Sequence, residues 1–438
     1  MLCKHSYLLL SEDVVTANSL PSRIVSLDHL KALVNFQADH QLLLAPKLTL
    51  ALLTPGHFNK MKVGHALHVF SKSCSAGLRY LVQEEGYASN FLTTAWFVDQ
   101  VNHWFDLASS RHPVLALSKQ QPEKYYEATS YLSSFQKMIT SCAIGGKMDW
   151  KPVQTGIALS TSSLLGLAED LLKPTSFLMT SRFSQDCLEN LFSSVRARNP
   201  VPTPLELKNA LKMISVGQFL ATPKSGSYEA DDNDYLADFL TVSQSKENVS
   251  PVQADDDVCV VYDIGLLPAE LTSSQVICKA EKASLYYLVG HCIRSLQKKR
   301  ELCSVCINSC KLKEDDMTES SLLQLREYRP DALFSVCRPV YELCYAVELV
   351  IRKVKDKVSS MSFPRKTLSS RCMKLPAVLN TSLPECHDLK RKLVAKFITV
   401  RLRIICKDLS KSLQLERSST VSLGSKSVAM RDLASKVQ

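Results

Sequence analysis

Glycine is scarce in this sequence, and no hydrophobic run is long enough to cross a membrane. Only 13 of the 438 residues are glycine, which argues against β structure punctuated by glycine and favours helices. A spanning helix needs about 20 consecutive apolar residues, so no membrane partner is expected. The amino terminus has a short apolar patch followed at once by acidic residues, which is too weak for a signal peptide.

Several motifs of nucleotide-binding proteins and hydrolases are also missing. A Walker loop ends in Gly-Lys-Ser/Thr, because backbone amides wrap the phosphates and the hydroxyl holds magnesium. In the nearest segment, Gly146-Lys147 is followed by Met148, and Ser141 stands at the position of the first glycine. There is no GxSxG elbow, no HExxH and no dinucleotide fingerprint. A nucleotide site in this chain therefore has to be built in another way.

The composition is that of a soluble globular protein of more than one domain. Hydrophobic residues make up 45% of the chain and charged residues 22%, and a length of 438 residues favours two or three domains. The net charge of +10 is compatible with a polyanionic partner and equally with a basic protein that has none. Without a secretory signal, the 15 cysteines are expected to be reduced thiols of an intracellular protein.

Apolar residues recur at helical spacing through most of the chain. This pattern predicts nearly continuous helix from Ser26 to Leu117, an irregular segment at Lys147–Gln154 and a short helix at Ser160–Leu172. A further amphipathic helix is predicted at Ser184–Arg196, with Ser184 as a plausible N-cap. A basic segment, Lys390–Arg403, is amphipathic enough to lie on DNA, although a helix with one packed face accounts for it as well.

The cysteines allow a metal site without requiring one. Cys303 and Cys306 have the two-residue spacing that lets two thiolates reach one zinc ion, and Cys310 is close by. A second close pair is missing. More distant residues that could complete a site are Cys337, Cys344, Cys386 and His387. A zinc-bound scaffold and an incidental pair of thiols both remain open.

Three segments, taken in this order and spacing, resemble the P-element transposase family, which includes the THAP-domain transposases. The first runs from Leu44 through the Phe58–Val63 stretch to Ser71, the second is Phe97–Asp106, and the third is Thr180–Arg196 with its proline-rich end. Together they lie within residues 24–220, about the first half of the chain.

The resemblance implies a mainly α protein with a helical GTP-binding insertion domain, a remnant of an RNase H-like catalytic domain and a helical carboxy-terminal domain. The expected segments are 1–23 as a remnant of the RNase H-like domain, 24–176 as the GTP-binding insertion, 177–222 as the end of the RNase H-like domain, 223–257 as an acidic linker, 258–417 as the helical carboxy-terminal domain and 418–438 as a disordered tail.

Family members hold catalytic metal ions with three acidic residues, the last on a helix just after the insertion. Glu189 matches this last position, as catalytic residue and metal ligand. Two metal ions about 3.5–4 Å apart stabilise the attacking and leaving oxygens of phosphoryl transfer, which one glutamate cannot do. Glu12 and Asp13 lie in a segment that resembles the stretch after the second acid. We therefore expect a truncated, decayed or domesticated transposase that does not cleave DNA, with Mg²⁺ relevant only if the missing acids are restored.

The resemblance also implies a guanine-nucleotide site without a Walker loop. Phosphates need cations, and Lys47 and Lys62 match basic contacts of the family, with Val63 and Ser71 nearby. Asn102 and Asp106 are four residues apart on one helical face, and a carboxylate can accept two hydrogen bonds from the N1 and N2 edge of guanine. Asp186 matches a further contact. The implied cofactor-binding residues are Lys47, Lys62, Val63, Ser71, Asn102, Asp106 and Asp186.

The same residues also fit roles that involve no ligand. Lys47 and Lys62 are of a type that is usually exposed, Glu189 has the pattern of a solvated helix residue, and His65 and His68 fit packed or surface histidines. The family implies transposon DNA as a partner, action in the nucleus and compatibility with a homo-oligomer. The alternative is a domesticated, non-enzymatic helical protein that binds another protein or DNA.

Overall fold

The structure is a computed structural model of the chain. It describes residues 5–56, 63–112, 116–145, 149–196, 199–220, 277–312, 321–329, 331–361 and 363–418. Lys62, the predicted linker 223–257 and the tail after Ser418 lie outside these residues.

Helices dominate the described residues, which confirms the predicted mainly α class. In the first half they are α1 (Glu12–Ala17), α2 (Leu27–Phe36), α3 (Leu50–Leu53), α4 (Val63–Val69), α5 (Lys72–Glu84), α6 (Phe91–Ala108), α7 (Pro122–Ser141), α8 (Pro152–Leu171), α9 (Asp186–Arg196) and α10 (Pro204–Leu220). In the second half they are α11 (Lys279–Lys298), α12 (Ser304–Cys310), α13 (Ser321–Arg326), α14 (Arg338–Val354), α15 (Pro364–Cys372), α16 (Pro376–Asn380) and α17 (Leu389–Ser418). Short 3-10 helices lie at Thr180–Phe183 and Lys355–Ser360.

Three short strands form an antiparallel sheet that helical periodicity does not predict. They are β1 (Tyr7–Leu9), β2 (Ile24–Ser26) and β3 (Ala143–Ile144), in the order β2-β1-β3. Leu8 pairs with Val25 on one side and with Ile144 on the other. Strands of two or three residues are too short for an alternating pattern to stand out in the sequence.

The chain divides into two compact units. The first comprises residues 1–103, 134–158 and 267–438, and the second comprises residues 104–133 and 159–266. The domain boundaries expected from the resemblance remain a prediction.

The core of the first unit lies between its sheet, its early helices and its carboxy-terminal helices. Helix α5 packs on α2 and also on α13, and α13 in turn packs on α11. Glycine at position 77 allows the close approach of α5, because a Cβ there would press on the side chain of Leu33. Fully buried members of this core are Leu8, Leu30, Leu33, Leu78, Phe97, Tyr286, Val289 and Phe397.

Four buried charged side chains join helices α11, α14 and α17 within the first unit; we call them the ion-pair chain. Glu281 accepts hydrogen bonds from Arg352 at 2.7 and 3.1 Å. Glu348 accepts one from Arg352 at 3.1 Å and two from Arg401 at 2.6 and 2.7 Å. Glu281 also accepts the backbone N–H of Gln41 at 2.7 Å, so the segment that leads to Lys47 is held by the carboxy-terminal helices.

The second unit has a smaller core. Its buried members are Leu117, Ala128, Ala168, Leu172 and Leu178, with Leu107, Tyr125 and Leu171 packed against them. Leu117 and Leu178 exchange backbone hydrogen bonds of 3.1 and 2.8 Å. In the same unit α9 packs on α10.

The structure corrects the predicted start of one helix and shows how the basic segment Lys390–Arg403 is packed. Lys147–Gln154 was predicted to be irregular and the next helix to start at Ser160, but α8 already begins at Pro152; proline has no donor to lose at the first position of a helix. The basic segment Lys390–Arg403 is a packed helix rather than a free one, because Leu393, Phe397 and Leu402 are fully buried. Among the described residues, no helix has both the length and the apolar character needed to cross a membrane.

Candidate functional site

Three of the predicted nucleotide contacts lie at or near helix α4 in the first unit: Val63, Ser71 and Lys47. Lys47 is exposed in the segment between α2 and α3. Val63 is the first residue of α4 and is 60% exposed. Ser71 follows α4 and begins the next helix as its N-cap. Val63 and Ser71 thus mark the two ends of α4, and Lys47 is near enough to its last turn to act on His68, whereas Lys62 lies outside the described residues.

The charges around His68, in the last turn of α4, make this region electropositive. Burial lowers the pKa of His68, and the positive charges of Lys47, His65 and Lys407 lower it further. These groups are close enough for each to disfavour a proton on the imidazole. A region in which cations repel one another in this way is suited to bind a polyanion such as a phosphate chain.

Ser71 holds the turn between α4 and α5. Its hydroxyl accepts a hydrogen bond from the backbone N–H of Cys74 at 3.4 Å and donates one to the carbonyl of His68 at 3.1 Å. The side chain thus caps α5, whose N-terminal end carries a partial positive charge. Ser71 has a structural role in addition to any contact with a ligand.

Asp99 is a residue of this region that no pattern in the sequence singles out. It lies on α6, its side chain is 17% exposed, and it forms ion pairs with Lys72 at 3.2 Å and Arg79 at 3.1 Å. Both partners are on α5. Because Lys72 follows Ser71, and Asn102 lies one turn after Asp99, this ion-pair set fixes the spacing of two predicted contacts. No sequence signal separates Asp99 from any other helix carboxylate.

Asn102 and Asp106 lie one turn apart on α6, as predicted. Asn102 is half-buried and Asp106 is exposed. At the other end of α6, Thr94 accepts a hydrogen bond from the backbone N–H of Ser26 at 3.1 Å and contacts the ring of His29 at 2.7 Å. These contacts anchor the helix that carries the two predicted base contacts to β2 and α2.

In the second unit, the chain just after Asp106 is tied to the chain that leads into α9. Thr180 donates from its hydroxyl to the carbonyl of Leu107 at 2.7 Å, and that hydroxyl accepts the backbone N–H of Ser110 at 2.9 Å. The backbone N–H of Thr180 in turn donates to the hydroxyl of Ser110 at 3.2 Å. All three residues belong to the second unit. The end of α6 is thereby linked to the 3-10 helix at Thr180–Phe183, which precedes α9, through a short buried network.

Asp186 is the first residue of α9, and Glu189 is exposed one turn later. Of the apolar residues of this helix, Val195 is buried, whereas Leu188 is 57% and Phe192 is 47% exposed. An exposed glutamate on a helix is equally the pattern of a solvated residue. The predicted site residues thus fall into two sets, Lys47, Val63, Ser71 and Asn102 in the first unit and Asp106, Asp186 and Glu189 in the second.

Among the described residues, a group that could hold a metal ion lies in the carboxy-terminal part of the first unit. Cys303, Cys306, Cys386 and His387 offer four ligand atoms that all lie within 4.8 Å of one another; we call them the Cys/His cluster. Of the distant residues considered from the sequence, Cys386 and His387 are brought to Cys303 and Cys306. Cys310, Cys337 and Cys344 are not members of this cluster.

Comparison with known proteins adds a family match. Residues 10–121 match the family model of the TNP-like, GTP-binding insertion domain. The matched range includes every predicted nucleotide contact except Asp186.

Two individual proteins are similar to parts of the chain. A protein of Drosophila melanogaster named Transposable element P transposase is 30% identical over 165 residues, which are 36% of this chain and 22% of that protein. The chain thus spans about a fifth of the length of that relative. A solved structure, the Drosophila P element transposase strand transfer complex, is similar with a TM-score of 0.41 and 23% identity, over 49% of each chain.

Proposed function

We propose that this chain, which is related to the P-element-type transposases, binds guanine nucleotide. The premise is that it contains their GTP-binding insertion domain. The match of residues 10–121 to that domain carries the proposal. The electropositive region around α4 also supports it, because the helix itself, Lys47 and His65 lie inside the matched range.

In this proposal the phosphates bind beside α4. Lys47 and Lys62 supply positive charge, and Val63 and Ser71 provide backbone and hydroxyl contacts at the two ends of the helix. The exposed position of Lys47 leaves its ammonium group accessible to an anion. The negative charge of a bound triphosphate would favour the protonated imidazole of His68, which the neighbouring cations disfavour.

Asn102 and Asp106 are proposed to recognise the base. The Asp106 carboxylate would accept two hydrogen bonds from N1 and the N2 amine of guanine, a pairing that adenine cannot offer. Asp186 would contribute a contact from the start of α9. The hydrogen bonds among Leu107, Ser110 and Thr180 would hold the segment after Asp106 next to the segment that precedes α9.

Glu189 is proposed to be the last metal-holding carboxylate of a transposase active site. It would hold Mg²⁺ and support DNA strand cleavage only together with two further acids of an RNase H-like domain. Transposon DNA as a partner, assembly into an oligomer and action in the nucleus are parts of the same proposal.

Titration of the full chain with GTP tests the site assignment. Asp106→Ala should weaken GTP binding by about 10- to 100-fold, because a charge-assisted hydrogen bond contributes about 1.5–3 kcal/mol. Inosine triphosphate, which lacks the N2 amine, should bind the unaltered chain less tightly than GTP and should be less affected by Asp106→Ala. Glu189→Ala removes an exposed carboxylate of the second unit and should leave GTP affinity unchanged. Equal effects of the two alanine variants would contradict the assignment.

A second candidate function, that of a helical interaction protein, is favoured by the apolar surface of α9 and α10. Leu188, Phe192 and Val216 are 57%, 47% and 55% exposed, and large exposed apolar patches mark interaction sites. Under this function, Leu188→Ser with Phe192→Ser should convert an oligomer to a monomer in light scattering and leave GTP affinity unchanged. A monomer before and after the substitutions would exclude self-association through this surface.

A further inference from the structure

The Cys/His cluster joins two parts of the carboxy-terminal region that are distant in sequence. Cys303 is the N-cap of α12 and Cys306 lies in its first turn. Cys386 and His387 lie in the turn that precedes α17, and Cys386 is 80 residues from Cys306. Lys392 of α17 donates to the carbonyl of Glu301 at 3.2 Å, so the two segments are also held together beside the cluster.

The ligand atoms have the separations of a tetrahedral zinc site. With Zn–S bonds of about 2.3 Å, two sulfurs at a tetrahedral angle lie about 3.8 Å apart. The Sγ atoms of Cys303 and Cys386 are 3.7 Å apart, and those of Cys306 and Cys386 are 3.2 Å apart. The Nδ1 atom of His387 lies 3.7 Å from the Sγ of Cys306 and 3.2 Å from that of Cys386. Only small movements are needed to place one ion between them.

The nature of the four ligands selects the metal and its role. Three thiols and one imidazole favour zinc over magnesium or calcium, which prefer oxygen ligands. Four protein ligands complete a tetrahedron and leave no position for water or substrate, which is the pattern of structural rather than catalytic sites. The three thiols would release their protons to solvent as zinc binds.

We propose that Cys303, Cys306, Cys386 and His387 bind a structural Zn²⁺ ion that fastens α12 to the start of α17. The ion would close the long segment between the two ligand pairs and so stabilise the bundle formed by α11, α14 and α17. This site lies outside the matched range 10–121 and does not depend on the proposed nucleotide site.

A disulfide is the competing assignment for these cysteines. A disulfide holds its sulfurs about 2.05 Å apart, whereas the closest pair here is 3.2 Å apart. A disulfide would also use only two of the three cysteines and would give His387 no role in the cluster. A zinc site and a disulfide predict different metal contents and different numbers of free thiols.

The test is the zinc content of the full, untagged chain, purified without chelator and measured by mass spectrometry of the metal. We expect about one zinc per chain, as four ligands around one ion require. Cys306→Ser and His387→Ala should each reduce the zinc content to near zero. Cys310→Ala provides the matched control, because Cys310 is buried on the same helix but lies outside the cluster; it should retain the zinc.

Folding of the variants is checked by circular dichroism, and a second measurement avoids variants altogether. Addition of a strong chelator to the unaltered chain should lower its melting temperature, and Co²⁺ should then bind with the thiolate charge-transfer absorption of a tetrahedral site. Three results would overturn the proposal: an unaltered chain without zinc, zinc that persists in both ligand variants, or a Cys303–Cys386 or Cys306–Cys386 disulfide in peptide mapping of the native chain.

Discussion

His68 is the residue through which pH should act on the proposed nucleotide site. Its pKa in the free chain is lowered, first by burial and then by the neighbouring cations, so near neutral pH the imidazole is uncharged. A bound phosphate would favour the charged imidazole and raise this pKa. Binding would then take up a proton, and by linkage the affinity must increase as the pH falls.

We therefore expect GTP affinity to increase from about pH 8 to about pH 6, on either side of the ordinary pKa of histidine. The measurement is the dissociation constant at several pH values for the unaltered chain and for His68→Gln. The variant also reports the titration of the nucleotide itself, so the difference between the two slopes belongs to His68. Parallel slopes would show that His68 does not face the phosphates.

Asp99 should matter more than its ordinary sequence context indicates. Asp99→Asn removes the charge that Lys72 and Arg79 share, and should lower the free energy of unfolding by about 1–2 kcal/mol. GTP affinity should also decrease, because the spacing of Ser71 and Asn102 depends on this contact. Asp28→Asn is the control: Asp28 pairs with Lys31 at 2.9 Å, but its side chain is 72% exposed, and such pairs contribute little. Similar losses in both variants would contradict the role given to Asp99.

At the scale of the elements, helix α14 carries two glutamates with opposite surroundings. Glu348 is fully buried and accepts hydrogen bonds from Arg352 and Arg401, whereas Glu342 is exposed and pairs with Arg338 at 2.8 Å. Glu348 with Arg352 and Glu342 with Arg338 are both glutamate–arginine pairs four residues apart within this helix. Their difference in burial makes them a direct comparison of an interior with a surface ion pair.

Glu348→Gln should lower the free energy of unfolding by about 3–5 kcal/mol, since it leaves the buried guanidinium of Arg401 without a counter-charge. Glu342→Gln should change it by less than about 0.5 kcal/mol. Denaturant unfolding monitored by circular dichroism measures both. A small effect of Glu348→Gln would mean that water reaches the ion-pair chain and that α17 is not fixed by it.

The elements also show what could be inferred from the sequence. The presence of helices such as α6 and α9 follows from apolar residues that recur at helical spacing. The sheet does not follow, since β3 has only two residues. The start of α8 was misplaced because a proline that cannot extend a helix can still begin one.

At the scale of the whole molecule, the contacts that sequence reasoning could not supply are those between distant segments. Glu281 binds the backbone of Gln41, and Cys386 lies beside Cys306; neither separation leaves a local pattern. The proposed nucleotide contacts could be predicted only through resemblance to a family, because Lys47 and Asp106 have no distinguishing spacing of their own. The electropositive surroundings of His68 could be recognised only in the folded structure, because Lys407 is distant from His68 in the sequence.

The central claim is that the chain binds guanine nucleotide selectively, and calorimetric titration of the full chain with GTP and with ATP in the presence of Mg²⁺ tests it most directly. ATP lacks the N2 amine and presents an acceptor at N1 to a carboxylate, so GTP should bind at least about tenfold more tightly. Equal affinities for the two nucleotides, or no heat with either, would contradict the account.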